Sequence, residues 1–310
     1  MRDKFPEGRK LTRPLGFTGN ALIRWSEKRR DPKWVAAQFR HAQARFLPLW
    51  RGRPLVAGKP AYLFWLGRDE VPEQFMDHSL LLGLDNDIPH FAFDVSGASD
   101  KAETAPFASH GQYLPLIAAA MSLPATEIAI AGQAMGLLNW QRKNRFSPKT
   151  GEPLRITEGG FKLVDRADTE IFPRINPVVM VLVVEGDSCL LARNYHFPAG
   201  LYSALAGFVE IGESLEECAR REVFEETALP IENLHYTGSQ PWPLSDSLMI
   251  GFIATAQSRT LTLDKDELED AKWLTKEEVK EHLAAGQNSA FFLPPAFSLA
   301  GHMIRQWCKD

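Results

Sequence analysis

The 310-residue sequence lacks the features that mark secreted and membrane proteins. It has three cysteines (Cys189, Cys218 and Cys308), an odd number without CxxC spacing. This pattern argues against a disulfide framework and favours free thiols in a reducing compartment. No hydrophobic run has the length of a membrane span, and no apolar signal segment follows residues 1–6. We therefore expect a cytoplasmic protein with no membrane partner.

The sequence also lacks an excess of positive charge. Its formal net charge is −4, which argues against a protein that grips long nucleic acids over its whole surface. Hydrophobic residues make up 45% of the chain and charged residues 24%. These values are typical of folded protein, and the length suits two ordinary domains.

Residues 1–134 predict an N-terminal α+β domain in which no catalytic signature is found. The apolar period predicts a long helix over residues 31–50 and further helices over 114–121 and 126–145. Strands are expected at 61–67, 79–84 and 90–95, where turn residues separate apolar runs. Residues 135–172 predict the end of a helix followed by a short, turn-rich connecting module.

Residues 173–310 mix short strands with helices expected at 214–227, 276–285 and 295–308. This order predicts an α/β/α sandwich. The fold class is therefore α+β, with a C-terminal sandwich preceded by a short hairpin module and an N-terminal α+β domain.

Three glutamates in the helix predicted at 214–227 are the candidate catalytic residues. Ser214 and Glu217 form a capping-box pattern, so the helix should begin there. Glu222, Glu225 and Glu226 then fall within about 100° of arc on one helix face. Like charges at this spacing repel, so either the face is solvated or a cation neutralises it. Mg²⁺ or Mn²⁺ would suit such oxygen ligands, and metal-assisted phosphoanhydride cleavage needs such a site.

The spacing around these glutamates favours the catalytic interpretation. Gly207, Glu213, Arg221–Val223, Glu225, Glu226 and Leu229 match the Nudix pattern, in which Ala228 replaces the last glycine. The segment therefore resembles the Nudix hydrolase superfamily. If position 228 needs positive φ, alanine there is strained by about 1 kcal/mol, and we expect a slightly shifted loop rather than lost activity.

A second segment narrows the resemblance to the NADH pyrophosphatase family. Ser239–Ser247 is similar to that family's S-Q-P-W-P-F-P-x-S marker, although Leu244 and Ser245 replace its Phe and Pro. The resemblance implies that Gln240, Trp242 and Ser247 bind the dinucleotide and lie near the partner of a homodimer.

Other positions gain roles from the same resemblance. It implies that the Ala206 carbonyl binds metal, that Phe208 stacks on a base, and that Glu267 is a further metal ligand, with Glu269 as the alternative. It also implies substrate contacts for Phe172 and for Ala300 at the start of the last helix. Phe208 could equally be an ordinary core residue.

The connecting module departs from the family at its zinc ribbon. The four cysteine positions fall on Ser147, Thr150, Val164 and Ala167, none of which supplies a thiolate or imidazole ligand. We expect no structural zinc here, and stoichiometric zinc in elemental analysis would overturn this expectation. Packing should hold the hairpin instead, with these candidates: Phe146, Leu154, Phe161, Leu163 and Val164.

The resemblance implies hydrolysis of the pyrophosphate of NADH or NAD⁺ to NMN(H) and AMP, and also removal of the NAD cap from RNA. Catalysis would use Glu222, Glu225, Glu226 and Glu267 with Mg²⁺ or Mn²⁺. Glu225 or Glu267 would be the general base, and Arg221 would pair with Glu213 as scaffold. The alternatives are a Nudix hydrolase of ADP-ribose or a diadenosine polyphosphate, and a non-catalytic nucleotide-binding scaffold.

Overall fold

The structure is a computed structural model that describes residues 15–76, 78–286 and 291–309. The expectation about a signal segment at residues 1–6 lies outside this range. The described residues divide into two compact units. The N-terminal unit contains Gly16–Ile175 and Trp242–Asp246, and the C-terminal unit contains Asn176–Pro241, the residues from Ser247 onward and Leu15. In the described part of the chain, no helix is long and apolar enough to cross a membrane.

A mixed sheet with helices forms most of the N-terminal unit. Its strands run in the order β3-β2-β1-β6-β5, and β4 and β7 pair with β1 and β2. Those strands are β1 (Arg45–Trp50), β2 (Arg53–Ala57), β3 (Tyr62–Leu63), β4 (Leu66–Gly67), β5 (Leu80–Asp85), β6 (Ile88–Asp94) and β7 (Gln112–Tyr113). The helices are α1 (Pro32–Phe39), α2 (Glu73–Met76), α3 (Leu116–Ala120) and α4 (Ala125–Lys143).

The helix expected over residues 31–50 is wrong in its second half. It ends at Phe39, and Arg45–Trp50 is strand β1 at the centre of the sheet. Phe46 and Leu49 are fully buried there, because β1 pairs in parallel with β6 and antiparallel with β2. A continuous helix through this stretch would also have to accommodate Pro48 in its interior, which is unfavourable.

The connecting module is a three-stranded sheet in the order β10-β9-β8, formed by β8 (Arg155–Thr157), β9 (Lys162–Val164) and β10 (Glu170–Ile171). Leu163 and Val164 are buried as expected. Phe161 packs under the Arg29 guanidinium, 3.5 Å from the ring centroid. Phe146 is 57% exposed, so its expected packing role is wrong: it lies at the edge of the turn rather than inside the module.

A hydrogen-bond network joins two turns of this module. Ser147 Oγ donates to Asp165 Oδ2 at 2.9 Å, and both residues are buried. Asp165 Oδ1 accepts from the backbone N–H groups of Ala167 and Thr169 at 2.9 and 2.8 Å. These bonds, chiefly that from Thr169, lower the pKa of Asp165. Ser147 and Ala167, which stand at two of the family's four cysteine positions, thus both bond the Asp165 carboxylate.

We expect Asp165→Asn to weaken this network. Because the folded-state pKa is lowered, ionised Asp165 stabilises the module above the ordinary pKa of about 3.9, and this stabilisation is lost as the pH falls through the folded value. The variant should exchange the amides of Ala167 and Thr169 roughly tenfold faster at neutral pH, since charged hydrogen bonds are the stronger ones. Hydrogen–deuterium exchange checks this, with Asp168→Asn as control. Equal protection in the wild type and Asp165→Asn would contradict it.

The C-terminal unit contains a six-stranded sheet in the order β14-β15-β11-β12-β16, with β13 paired to β11. The strands are β11 (Asn176–Glu185), β12 (Ser188–Asn194), β13 (Leu205–Phe208), β14 (Ile231–Trp242), β15 (Ser247–Ala256) and β16 (Leu268–Thr275). The helices are α5 (Leu215–Thr227), α6 (Lys276–Ala285) and α7 (Leu299–Trp307). Helix α7 begins four residues later than expected, because Ser298 caps it by accepting the N–H of Gly301.

Alternation along β11 explains the layers. Val179 and Val181 pack with α5 in one core cluster, while Met180 and Leu182 pack with α7 in another. Successive side chains of a strand point to opposite faces, so this central strand supplies both cores. The expected α/β/α sandwich is confirmed, and one of its layers is the glutamate helix α5.

Candidate active site

Helix α5 presents the three glutamates on the face next to β13. Ser214 and Glu217 form the expected capping box, with the Ser214 N–H bonded to the Glu217 carboxylate at 2.7 Å. Cys218, Ala219 and Val223 are fully buried against the sheet. The buried stripe fixes the rotation of the helix, which sets the direction of its carboxylates.

Gly207 on β13 makes room for one of them. The strand pairs with β11 through Gly207 and Val179, and the Glu222 carboxylate lies directly against the glycine. A Cβ at position 207 would lie 1.8 Å from the carboxyl carbon of Glu222. This close approach, rather than an unusual φ, is the physical reason for a glycine here.

Arg221 ties the loop before α5 to the helix. It donates to both carboxylate oxygens of Glu213, at 2.7 and 2.9 Å, and to the Phe208 carbonyl at 3.0 Å. The Arg221 guanidinium is the main cause that lowers the pKa of Glu213 to about 2. Nη1 of Arg221 also bonds Glu222 at 2.8 Å and Glu225 at 3.0 Å. The expected pairing of Arg221 with Glu213 is confirmed.

Glu226 is the buried member of the acidic cluster. It is 6% exposed, and its Oε2 has no hydrogen-bond partner among the described residues. Burial is the main cause that raises the pKa of Glu226 to about 8. Neighbouring carboxylates add to the shift: Glu222, Glu267, Asp264 and Glu225. Such a group is costly unless a cation balances it.

Glu267, rather than Glu269, joins this cluster. The charge of Glu267 raises the pKa values of both Glu222 and Glu226, which places it beside α5. Glu269 instead forms an ion pair with Arg193 at 2.7 Å. The electrostatic influence of Glu267 on Glu222 and Glu226, with Glu269 paired to Arg193, favours the first of the two sequence candidates.

The acidic side chains are close together but do not form a preassembled metal shell. Within the described ranges, no three His, Cys, Asp or Glu side chains are arranged as a metal site. Arg221 instead holds Glu222 and Glu225 by hydrogen bonds. The unpartnered buried oxygen of Glu226 and the surplus of carboxylates nevertheless fit a hard divalent cation, which prefers oxygen ligands.

Comparison with known proteins agrees with this site. Residues 174–293 match the family model described as "NUDIX domain", and residues 43–140 match the one described as "NADH pyrophosphatase-like rudimentary NUDIX domain". The protein named "NAD-capped RNA hydrolase NUDT12" from Pongo abelii is 31% identical over 94% of this chain and 73% of its own length. The chain belongs to the NADH pyrophosphatase family of Nudix hydrolases.

Two further relatives support the assignment. "NAD(P)H pyrophosphatase NUDT13, mitochondrial" from Homo sapiens is 37% identical over 74% of this chain and 67% of its own. "NAD-capped RNA hydrolase NudC" from Mycobacterium bovis is 40% identical over 59% of this chain and 61% of its own. Nudix hydrolases generally use divalent metal ions, in accord with the acidic cluster on α5.

The residues expected to contact substrate in this Nudix hydrolase differ in exposure. Phe208 is the residue after Gly207 on β13, and it is 58% exposed, so it is not a core residue. The other three in the C-terminal unit are buried: Gln240, Ser247 and Ala300. Gln240 donates to the Phe297 carbonyl at 2.8 Å and accepts from the Leu299 N–H at 2.7 Å. Its amide thus fixes the start of α7, where Ala300 lies.

Two other expected contact residues belong to the N-terminal unit. Phe172 is 56% exposed and follows β10. Trp242 packs edge-on against Phe17, with ring centroids 5.6 Å apart. The family marker is thus divided between the units, with Gln240 in one and Trp242 in the other. The substrate roles of these residues stay predictions.

The structure confirms that position 228 needs positive φ. Ala228 ends α5 in the left-handed region, with φ 57° and ψ 20°, and its N–H donates to the Phe224 carbonyl. Glycine would adopt this conformation without a Cβ penalty, so alanine costs about 1 kcal/mol. That the enzyme stays active with Ala228 remains a prediction.

Sequence reasoning missed Asp264 as a member of the acidic cluster. The residue lies in a turn before β16, and its charge raises the pKa of Glu226. The D-x-D spacing of Asp264 and Asp266 is a signal for such a turn. No local pattern, however, shows that this turn packs on α5.

Proposed function

We propose that this Nudix hydrolase cleaves the pyrophosphate bond of NADH and NAD⁺, giving NMN(H) and AMP. The observation that carries the proposal is the acidic cluster around the buried, unpartnered Glu226 oxygen. It sits on the helix that matches the Nudix pattern. The names of the relatives point to nicotinamide dinucleotides as the substrate class.

Glu222, Glu226, Glu267 and the Ala206 carbonyl are the groups that would hold Mg²⁺ or Mn²⁺, with Glu225 as an additional ligand. When bound, such an ion neutralises charge on the pyrophosphate and makes water a stronger nucleophile. Arg221 keeps Glu222 and Glu225 on the same side of α5. The packing of β13, which contains Ala206, on α5 supports this role for the Ala206 carbonyl.

Glu225 or Glu267 would accept the proton from the attacking water. Glu225 has a half-exposed side chain that is bonded to Arg221 alone among the contacts described. Glu267 is also exposed, at the turn before β16. Both side chains are open to solvent, which suits a general base.

Phe208 would bind a base of the dinucleotide by stacking. Its exposed ring follows directly after Gly207, and nucleobases present flat apolar faces to such rings. Phe172, Gln240, Trp242, Ser247 and Ala300 complete the proposed substrate-binding set. Gln240 would act indirectly, because its amide holds the start of α7, where Ala300 lies.

The wider proposal includes removal of NAD caps from RNA, a homodimer, a cytoplasmic location and no structural zinc. The functional division would be residues 1–134, 135–172 and 173–310. The RNA activity is supported by the printed names of two relatives.

A substrate panel tests the choice of dinucleotide. NADH, NAD⁺, ADP-ribose, diadenosine polyphosphates and NAD-capped RNA are incubated with Mg²⁺ or Mn²⁺, and kcat/KM is measured for each. We expect NADH or NAD⁺ to lead. ADP-ribose or a diadenosine polyphosphate in first place would favour the alternative that Leu244 and Ser245 suggest. Hydrolysis of none of them would support a nucleotide-binding scaffold.

A further inference from the structure

The segment after β15 is attached to the end of the glutamate helix. The last carbonyls of an α-helix have no partner within the helix. Here the Glu226 carbonyl accepts from the Asp264 N–H and the Thr227 carbonyl accepts from the Thr262 N–H, both at 3.0 Å. We call residues 261–267 the strap. Its backbone thus supplies partners for the last two carbonyls of α5.

Side chains of the strap fix its register. Leu261 and Leu263 pack against the core cluster that contains α5 residues Ala219 and Val223. The alternate residues, Thr262 and Asp264, are those whose N–H groups reach the helix. A shift of one residue would turn the leucines away from the core and break both bonds to α5.

Asp264 is held by several hydrogen bonds at once, including one of 3.4 Å from the Glu267 N–H to its carbonyl. Its N–H bonds α5, its Oδ1 accepts the Asp266 N–H at 2.9 Å, and its carbonyl accepts the Leu268 N–H at 2.9 Å. The second of these is an Asx-turn, a side chain closing a local turn. Glu267 lies inside the turn that these bonds close, immediately before β16.

We infer that Asp264 is a positioning residue that sets Glu267 against Glu222 and Glu226. The inference rests on the proposed function, because it concerns the site that would hold the metal ion. Its carboxylate acts through the Asx-turn, as a hydrogen-bond acceptor. A metal-ligand role for the same carboxylate is the competing explanation.

Asparagine and alanine separate the two explanations. Asp264→Asn keeps the Oδ1 acceptor for the Asp266 N–H and removes the charge, whereas Asp264→Ala removes both. Asp266→Ala is the matched control, since it deletes a neighbouring carboxylate of the same turn and keeps the donating N–H. If Asp264 acts only as the acceptor of the Asx-turn, the asparagine variant should keep near-wild-type Mn²⁺ affinity. A metal-ligand role predicts a loss of affinity instead.

The experiment is a Mn²⁺ titration of the full chain without nucleotide, by calorimetry or electron paramagnetic resonance. We expect Asp264→Ala to weaken Mn²⁺ affinity at least about tenfold, the usual effect of losing a group that orients a metal ligand. Asp264→Asn and Asp266→Ala should stay within about twofold of the wild type. Exchange of the Asp266 and Leu268 amides should rise more in Asp264→Ala than in Asp264→Asn, because asparagine keeps an uncharged acceptor for the Asp266 N–H.

Two results would overturn the inference. One is an asparagine variant that binds Mn²⁺ as weakly as the alanine variant. If the alanine variant does not fold, weak Mn²⁺ binding by the asparagine variant has the same meaning, because the charge of Asp264 would then be the property that matters. The other is a folded alanine variant that binds Mn²⁺ like the wild type. A wild-type chain that binds Mn²⁺ but leaves NADH intact would refute the proposed substrate alone, whereas one that binds no Mn²⁺ would refute both.

Discussion

Glu226→Gln will lower kcat for NADH cleavage by a factor on the order of 10²–10³, while the variant melts at or above the wild-type temperature. The loss follows from removing a carboxylate oxygen that would hold the metal ion, since single electrostatic groups at a reacting centre have effects of this size. The unchanged or higher stability follows from burial, since Glu226 is 6% exposed and an uncharged amide avoids repulsion from the neighbouring carboxylates. Steady-state kinetics and thermal melting measure both quantities.

The matched control is Glu216→Gln on the same helix. Glu216 is exposed in the first turn of α5. Its replacement by glutamine is the same chemical change as in Glu226→Gln, but it lies outside the acidic cluster. It should keep the wild-type rate. Glu226→Gln turning over NADH as fast as Glu216→Gln would refute the role of Glu226.

Gly207→Ala will also remove most of the activity without unfolding the domain. The new Cβ would fall 1.8 Å from the carboxyl carbon of Glu222, so the carboxylate must leave its place. Because it is the end of a flexible side chain that moves, the backbone can stay. A displacement of about 1 Å in a catalytic group can lower the rate about 100-fold, and we expect a loss of that order.

A double-mutant cycle isolates the cause of this loss. If Gly207→Ala acts through Glu222, it should add little to the loss already produced by Glu222→Gln, because both changes remove the same carboxylate. Gly97→Ala is the control for the substitution itself, since its Cβ would meet nothing within 4 Å. Fully additive losses of activity in the double variant would contradict the explanation.

Helix α5 and its glutamates could be predicted from sequence because the signals are local. The capping box of Ser214 and Glu217 marks the start, and the spacing of Glu222, Glu225 and Glu226 places them on one face. The pairing of Arg221 with Glu213 followed from the same segment. Helix geometry and a short preceding loop leave these residues few possible arrangements relative to one another.

Strand β1 and the strap could not be predicted, because distant residues determine them. Arg45–Trp50 continues the apolar pattern of the helix before it, and its parallel partner β6 begins only at Ile88. Asp264 similarly belongs to the site because the strap bonds the end of α5. Neither partner is visible in a local window.

The marker segment was recognised in sequence, but the way Gln240 acts was not. Family resemblance implied that it contacts the dinucleotide, whereas its amide is buried and bonds the backbone before α7. The sequence of a motif does not indicate whether its glutamine side chain faces solvent or contacts another part of the chain. Its three-dimensional partners supply that information.

The central claim is metal-dependent cleavage of a nicotinamide dinucleotide by the acidic cluster on α5. The most direct test incubates the full chain with NADH and Mg²⁺ or Mn²⁺, with an EDTA-treated sample beside it, and quantifies the products by chromatography. We predict equal amounts of NMNH and AMP with metal, none after chelation, and recovery when metal is restored. NADH left intact at every metal concentration, or cleaved equally well after chelation, would contradict the account.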